Sequence, residues 1–185
     1  MKFRPAPAGS PAALGLDATD RAILDLLQAN CKQPLAAIGE KVGLSAPAVV
    51  ERIHKLEEAG VIQGYAAILD ARRLGRDVTA FIGVTMDRAG AIRSVEGEVT
   101  AMSEVLECHH ITGLHSMLLK VKTHSTVTLE ALIERVRSLE GVSRTETMVV
   151  LSTQAERFTL PLDEIDAPAE PPARRGGQRA RRVAR

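Results

Sequence analysis

The chain reads as an α+β protein, an N-terminal winged helix-turn-helix followed by a C-terminal ferredoxin-like βαββαβ domain. Three observations predict this. Residues 35–62 spell a short helix, a tight turn and a second helix stopped by glycine. At Val78 the apolar spacing changes from helical to strict alternation. From there to residue 151, strand-like and helix-like stretches come in the order strand, helix, strand, strand, helix, strand.

Residues 1–15, dominated by Pro, Ala, Gly and Ser with Lys2 and Arg4 as loose charges, are expected to form a disordered arm. The winged domain is placed at 16–65. Its first helix runs from about Asp17 to Ala29, with Ile23 and Leu27 one turn apart and Leu24 and Leu26 flanking them. After the second helix, Gly43 supplies the backbone freedom for the turn, because glycine takes positive φ without steric cost. Ser45 is placed to accept from the first free N–H groups of the third helix, and Pro47 falls in that helix's first turn, where proline is tolerated. The third helix is expected from Ala46 to Ala59. Val49, Ile53 and Leu56 recur at i, i+4 and i+7, so one stripe packs inward. The opposite face presents Ala46, Pro47, Val50, Glu51, His54 and Lys55. A helix offered to solvent after a three-residue turn is the form that enters the major groove of double-stranded DNA. Val61–Leu69 reads as extended, a wing or linker strand, and 66–77 as a linker ending in Asp70–Asp77 with three arginines and a glycine.

Residues 78–162 are expected to form the βαββαβ domain and to carry oligomerisation. Val78, Ala80, Ile82, Val84 and Met86 alternate on one face of the first strand. Ile92, Val95, Val99 and Met102 come next at helical spacing. Val105–Thr112 and Met117–Thr123 are the next strands. Leu129, Leu132, Ile133, Val136 and Leu139 form a second helical stripe that Gly141 ends, and Val142–Leu151 is the fourth strand. Two helices cover one sheet face. Alternation assigns Phe81, Leu106, Cys108 and Thr147 to the other, and a half-apolar face without helices calls for a second copy of the chain. Residues 163–185 are expected to be a disordered tail, four acids between Asp163 and Glu170 preceding six arginines between Arg174 and Arg185.

Composition removes several functions. With no Trp, and Phe3, Phe81, Phe158 and Tyr65 as the sole aromatics, the chain lacks the stacking platform of a single-strand binder. The apolar runs are too short to span a bilayer, no leader is evident, and Cys31 and Cys108 suggest no disulfide framework, so a reducing cytoplasm and no membrane are expected. Residues 1–65 carry seven Lys/Arg and seven Asp/Glu. Affinity for DNA must then come from helix N-termini, a few placed cations and several domains engaged at once, which favours an oligomer.

Several ordered stretches carry a family resemblance. These are 16–24 (Leu-Asp-Ala-Thr-Asp-Arg-Ala-Ile-Leu), 42–45 (Val-Gly-Leu-Ser), Glu51-Arg52-Ile53 and 56–65 (Leu-Glu-Glu-Ala-Gly-Val-Ile-Gln-Gly-Tyr). In the second domain they are 107–113 (Glu-Cys-His-His-Ile-Thr-Gly) and 139–147 (Leu-Glu-Gly-Val-Ser-Arg-Thr-Glu-Thr). Over about residues 16–155 the chain resembles the Lrp/AsnC, or feast/famine, transcription regulators. The resemblance implies a winged helix, a second domain that dimerises and binds small molecules, assembly of dimers to tetramers or octamers, and amino acids as effectors. It places effector contacts at Ile111, Thr112, Gly113, Leu114, His115, Ser116 and Met117 and near Thr145 and Thr147. Relatives carry a Gly-Asp-Tyr/Phe-Asp-Tyr type segment where this chain has Gly113-Leu114-His115-Ser116-Met117, so Leu114 and Ser116 stand at both acidic positions.

Bland readings compete with each functional one. Cys108, His109 and His110 could ligate a metal, but successive strand residues point to opposite faces and cannot converge on one ion; Cys108 reads as a small packed hydrophobe, and no metal or cofactor is expected. Glu51 and His54 are read as groove-facing rather than as a solvated face. Arg52 either binds a phosphate or pairs with an acid in its own domain. The main reading is therefore a sequence-specific DNA-binding regulator, not an enzyme, responding to a small-molecule effector. Two alternatives use the same features: a sirohaem-decarboxylase-like enzyme employing His109, His110 and His115, and an architectural DNA-organising protein.

Overall fold

A computed structural model describes residues 15–162. Apart from Gly15, the arm at 1–15 lies outside the described residues, as does the tail at 163–185. Two units form, one comprising described residues 15–66 and 157–162, the other residues 67–156. The division differs from the expected domain boundary at 162, because residues 157–162 belong to the first unit.

In the first unit Asp17 caps α1 (Ala18–Ala29) through a reciprocal pair: the Asp20 N–H donates to Asp17 Oδ1 at 2.7 Å, and the Asp17 N–H donates to Asp20 Oδ2 at 3.3 Å. α2 (Leu35–Val42) ends on Gly43, whose φ of 72° closes the turn as expected. Gly39 contributes a second constraint. The Leu44 N–H donates to its carbonyl at 2.9 Å, and a Cβ at position 39 would collide with the Leu44 carbonyl oxygen. α3 (Ala46–Glu58) has Ser45 at its N-cap, but the Ser45 side chain makes no capping hydrogen bond, contrary to expectation. Pro47 removes one of the N–H groups that such a cap satisfies. Ile23, Ile38, Val49 and Ile53 form the core of the three helices. Leu24 and Leu56 form a smaller cluster with Leu162.

Gly60, at φ 72°, ends the third helix. Val61–Leu69 forms no strand, correcting the expected wing or linker strand. Apolar, β-prone residues there find no ladder partner among the described residues, and an unpaired segment is not a sheet.

In the second unit the linker is tied to the sheet: Arg76 donates to the Lys122 carbonyl at 3.2 Å, and His124 Nδ1 lies 2.6 Å from the Gly75 carbonyl. The strands β1 (Val78–Met86), β2 (Val105–His110), β3 (Met117–Thr123) and β4 (Val142–Val149) form an antiparallel sheet in the order β2-β3-β1-β4. With α4 (Ile92–Ala101) and α5 (Thr126–Arg137) this gives the expected βαββαβ order. The helices cover one face, burying Ala80, Ile82, Val84, Val95, Val99, Met117, Leu119, Val121, Leu129, Leu132 and Val136.

Four details differ from expectation. β2 stops at His110 and β4 at Val149. α5 ends at Arg137 and is capped by Ser138; Gly141, at φ 93°, belongs to the turn into β4. Cys108 and Thr147 lie on the helix-covered face, opposite Leu119 and Ile82, not on the open one. A bulge between Val105 and Glu107 shifts β2 against β3, so Leu106 is exposed while Cys108 packs against the core. The open face instead carries Phe81, Leu118, Lys120 and Met148. It is partly occupied by the chain itself, since Lys120 bonds both Glu107 and Glu156.

Candidate functional site

The third helix presents a face of mixed chemistry. Ser45, Pro47, Val50, Glu51, His54 and Lys55 are exposed, and Ala46 and Arg52 are half-buried. Val50 is 48% exposed although three residues of the same helix are core, so an aliphatic side chain is held out toward solvent among polar ones. Lys55 pairs with Glu51 at 2.7 Å and His54 with Glu58 at 3.4 Å. The Lys55 ammonium holds the Glu51 carboxyl below the usual range. Such exposed i,i+4 pairs are screened by solvent and contribute little, so a ligand can exchange them at little cost.

Arg52 is different. It donates to Asp17 Oδ2 and to Asp20 Oδ1, both at 2.7 Å, fastening α3 to the first turn of α1. The two carboxylates raise its pKa; the Asp20 N–H first, then Arg52, lower that of Asp17. The structure thus favours the intradomain partner of the two left open for Arg52. A shallow hollow beside this pair is lined by Asp20, Ala48, Glu51, Arg52 and Lys55.

The segment between β2 and β3 is a tight connection. The Ile111 N–H donates to the Ser116 carbonyl at 3.2 Å, and the Ser116 N–H to the Val84 carbonyl at 2.9 Å. Gly113 takes φ 122°, Leu114 is 87% exposed, Thr112 is exposed, and Met117 is fully buried. His115 lies over Gly83, on the open face. Its Nδ1 is 3.1 Å from the Thr85 hydroxyl and its Nε2 3.4 Å from Glu146. The Thr85 hydroxyl also donates to the Leu114 carbonyl at 3.2 Å. A Cβ on Gly83 would meet the ring, with its Cγ at 2.7 Å.

These contacts bring together His115, Thr85, Glu146 and Gly83, of which sequence reasoning singles out only His115. Glycine in the middle of an alternating strand is the available signal, since it marks a close approach. Thr145 and Thr147 pair with Val84 and Ile82 and so face the helices, away from His115. His109, His110 and His115, three of the four histidines of the second domain, are likewise separated. His109 bonds Glu107 at 3.1 Å on the open face, His110 lies 3.7 Å from Glu96, and His115 is held over Gly83.

A helix-turn-helix with an exposed third helix, joined to a βαββαβ domain, defines a two-domain ligand-responsive transcriptional regulator. Residues 16–57 match the AsnC-type helix-turn-helix domain and residues 79–160 the Lrp/AsnC ligand-binding domain. The transcriptional regulator FL11 of Pyrococcus abyssi is 35% identical over 149 residues, 80% of this chain and 98% of that protein. The regulator Rv2324 of Mycobacterium tuberculosis is 36% identical over 143 residues, 77% of this chain and 97% of that protein. Among solved structures, Escherichia coli AsnC has a TM-score of 0.74 at 30% identity, covering 78% of this chain and 98% of that one. The regulator NMB0573 from Neisseria meningitidis, solved as an L-methionine complex, has a TM-score of 0.76 at 29% identity, covering 80% and 97%. The chain belongs to the Lrp/AsnC family of helix-turn-helix transcriptional regulators.

Proposed function

We propose that α3 reads operator DNA in the major groove through Val50, Glu51, His54 and Lys55, with Ser45, Ala46 and Pro47 bringing the helix N-terminus to the phosphates. The single observation that supports this is the exposed aliphatic Val50 set among exposed polar side chains. An apolar side chain in that setting suits a thymine methyl, and polar neighbours suit base edges. Arg52 acts differently from its neighbours: held by Asp17 and Asp20, it positions α3 rather than meeting DNA. Selection of bound duplexes from a random library tests the reading. The Glu51→Ala/His54→Ala variant is expected to select a different sequence from the native chain, with total affinity changed less than about ten-fold. Recovery of the same consensus by both proteins would defeat the assignment.

The second unit is the effector and assembly domain. NMB0573 was solved with L-methionine, as was Rv3291c, a further regulator from Mycobacterium tuberculosis, which supports an amino acid or related metabolite as the effector class. The exposed Leu114 beside the positive-φ Gly113 is consistent with a site that a second copy completes. The chain works in the cytoplasm as a homo-oligomer that binds and releases rather than as an enzyme. No helix among the described residues is long and apolar enough to cross a membrane.

A further inference from the structure

After the sheet the chain returns to the helix-turn-helix unit and is fastened there. The Leu160 N–H donates to Gln28 Oε1 at 2.7 Å, and Gln28 Nε2 donates back to the Leu160 carbonyl at 3.1 Å. One side-chain amide thus satisfies both backbone groups of a residue 132 positions away, as a strand partner would. Two residues on, Leu162 is 9% exposed against Leu24 of α1 and Leu56 of α3, with Leu16 and Ile62 alongside. Burial of the leucine side chain and the paired hydrogen bonds together hold the segment in place. A segment of six residues, 157–162, is thereby clipped to the unit that carries α3.

The chain beyond the clip carries a concentrated share of the positive charge. Of 24 Lys and Arg in the chain, six lie within residues 174–185, and none lies between Arg157 and Arg174. Residues 1–65, by contrast, balance seven cations against seven acids. Arg174 is twelve residues beyond Leu162, a reach of at most ~40 Å. Leu56, where Leu162 is anchored, is only about 15 Å along α3 from its first residue Ala46. In sequence, Asp163, Glu164, Asp166 and Glu170 come between the anchor and the arginines, and phosphate repels them.

We propose that the Gln28–Leu160–Leu162 clip delivers the six C-terminal arginines to the phosphates flanking the duplex that α3 holds. The proposal rests on the reading of α3 as the DNA-binding helix. The clip fixes the start of the basic segment on the DNA-binding unit itself, so phosphate contact becomes an intramolecular second step with a high effective concentration.

Fluorescence anisotropy of the full-length protein on a selected operator duplex, from low to moderate salt, provides the test. Deleting residues 163–185, or replacing all six arginines by Gln, is expected to weaken binding at least ten-fold at low salt. Either change should also make the log–log salt dependence shallower by about 3 to 5. The Gln28→Ala/Leu162→Ser variant keeps its arginines but loses the clip, and is expected to shift several-fold toward the truncated protein. A 24-residue Gly-Ser spacer inserted after Leu162 leaves every described contact in place. It triples the distance along the chain to Arg174 and should cost roughly five-fold in affinity. Unchanged affinity and salt slope on truncation would overturn the proposal, and an unchanged response to both the unclipping and the spacer would overturn the role of the clip. If the full chain binds no duplex at all, the reading of α3 fails and the proposal with it.

Discussion

Gly83 determines where His115 lies. The ring rests on the sheet because residue 83 has no Cβ, and Thr85 and Glu146 hold its two nitrogens. Gly83→Ala is expected to cost about 1–2 kcal/mol, either by straining the ring or by expelling it from these partners. His115→Ala relieves the collision. In the double variant the alanine at 83 is therefore expected to cost less than about 0.5 kcal/mol, which a double-mutant cycle by urea denaturation measures. Additive losses would show that the ring does not depend on the glycine. Asp17 supplies a second prediction, in pH. Its carboxyl is held below the ordinary value of 3.8 by the Asp20 N–H and then by Arg52. The folded state thus favours the carboxylate. The stabilisation is full above the unfolded value and is lost as pH falls through the folded one, so the first unit should weaken below about pH 4. Arg52→Gln is expected to flatten that acid limb in thermal melts tracked from pH 6 to pH 2, and an unaltered limb would show that the pair carries no proton linkage.

The helix-turn-helix depends on two glycines with different duties. Gly43 provides the left-handed backbone at the end of α2, and its position directly after the apolar pattern makes that readable. Gly39 provides room, and its purpose is not readable, because the atom it makes way for is the carbonyl of Leu44, five residues later. Gly39→Ala is expected to destabilise the unit by about 2 kcal/mol or more, since the obstacle is backbone and cannot rotate away. Its gain in helix propensity is only about 1 kcal/mol. A raised melting temperature in this variant would refute the contact. The same contrast between local and long-range signals explains the rest of the reading. α4, the apolar stripe of α5 and the alternation of β1 arise from local spacing and stand where expected, although α5 itself ends earlier, at Arg137. The faces of Cys108 and Thr147 depend on pairing register, and one extra residue at Leu106 changes how β2 meets its neighbour. The expected strand at 61–69 has strand-like composition, but strand formation requires a partner, which composition does not reveal. For the candidate site, the exposed face of α3 is legible as the complement of Val49, Ile53 and Leu56. The partners of His115 and Arg52 are not, since they come from distant positions.

Within the second unit, the helices cover one face of the sheet, and among the described residues of that unit the other carries the His115 ring and the chain around Glu156. Phe81, Leu118 and Met148 lie on that open face, with Phe81 opposite Lys120 on one side and Met148 on the other. A second copy is the natural cover, because a two-fold axis brings the same residues together from both chains and closes the assembly. This makes Phe81 the most informative single position. Phe81→Glu leaves the helix-side core untouched and sets a new carboxylate opposite Lys120, which Glu107 and Glu156 already bond. Each copy of the variant would lose about 2 kcal/mol of apolar burial, and symmetry counts the loss twice. The expected weakening of the dimer is then about 4 kcal/mol, roughly a thousand-fold in its dissociation constant. Light scattering of the full chain at micromolar concentration should show the native protein as a dimer or larger assembly. The variant should be mostly monomeric, with an unchanged circular dichroism spectrum. DNA affinity should fall with it, because two charge-balanced domains bind as one unit only while they are joined. An assembly of unchanged mass in Phe81→Glu would move the interface off this face, and a monomeric native chain would remove the need for one.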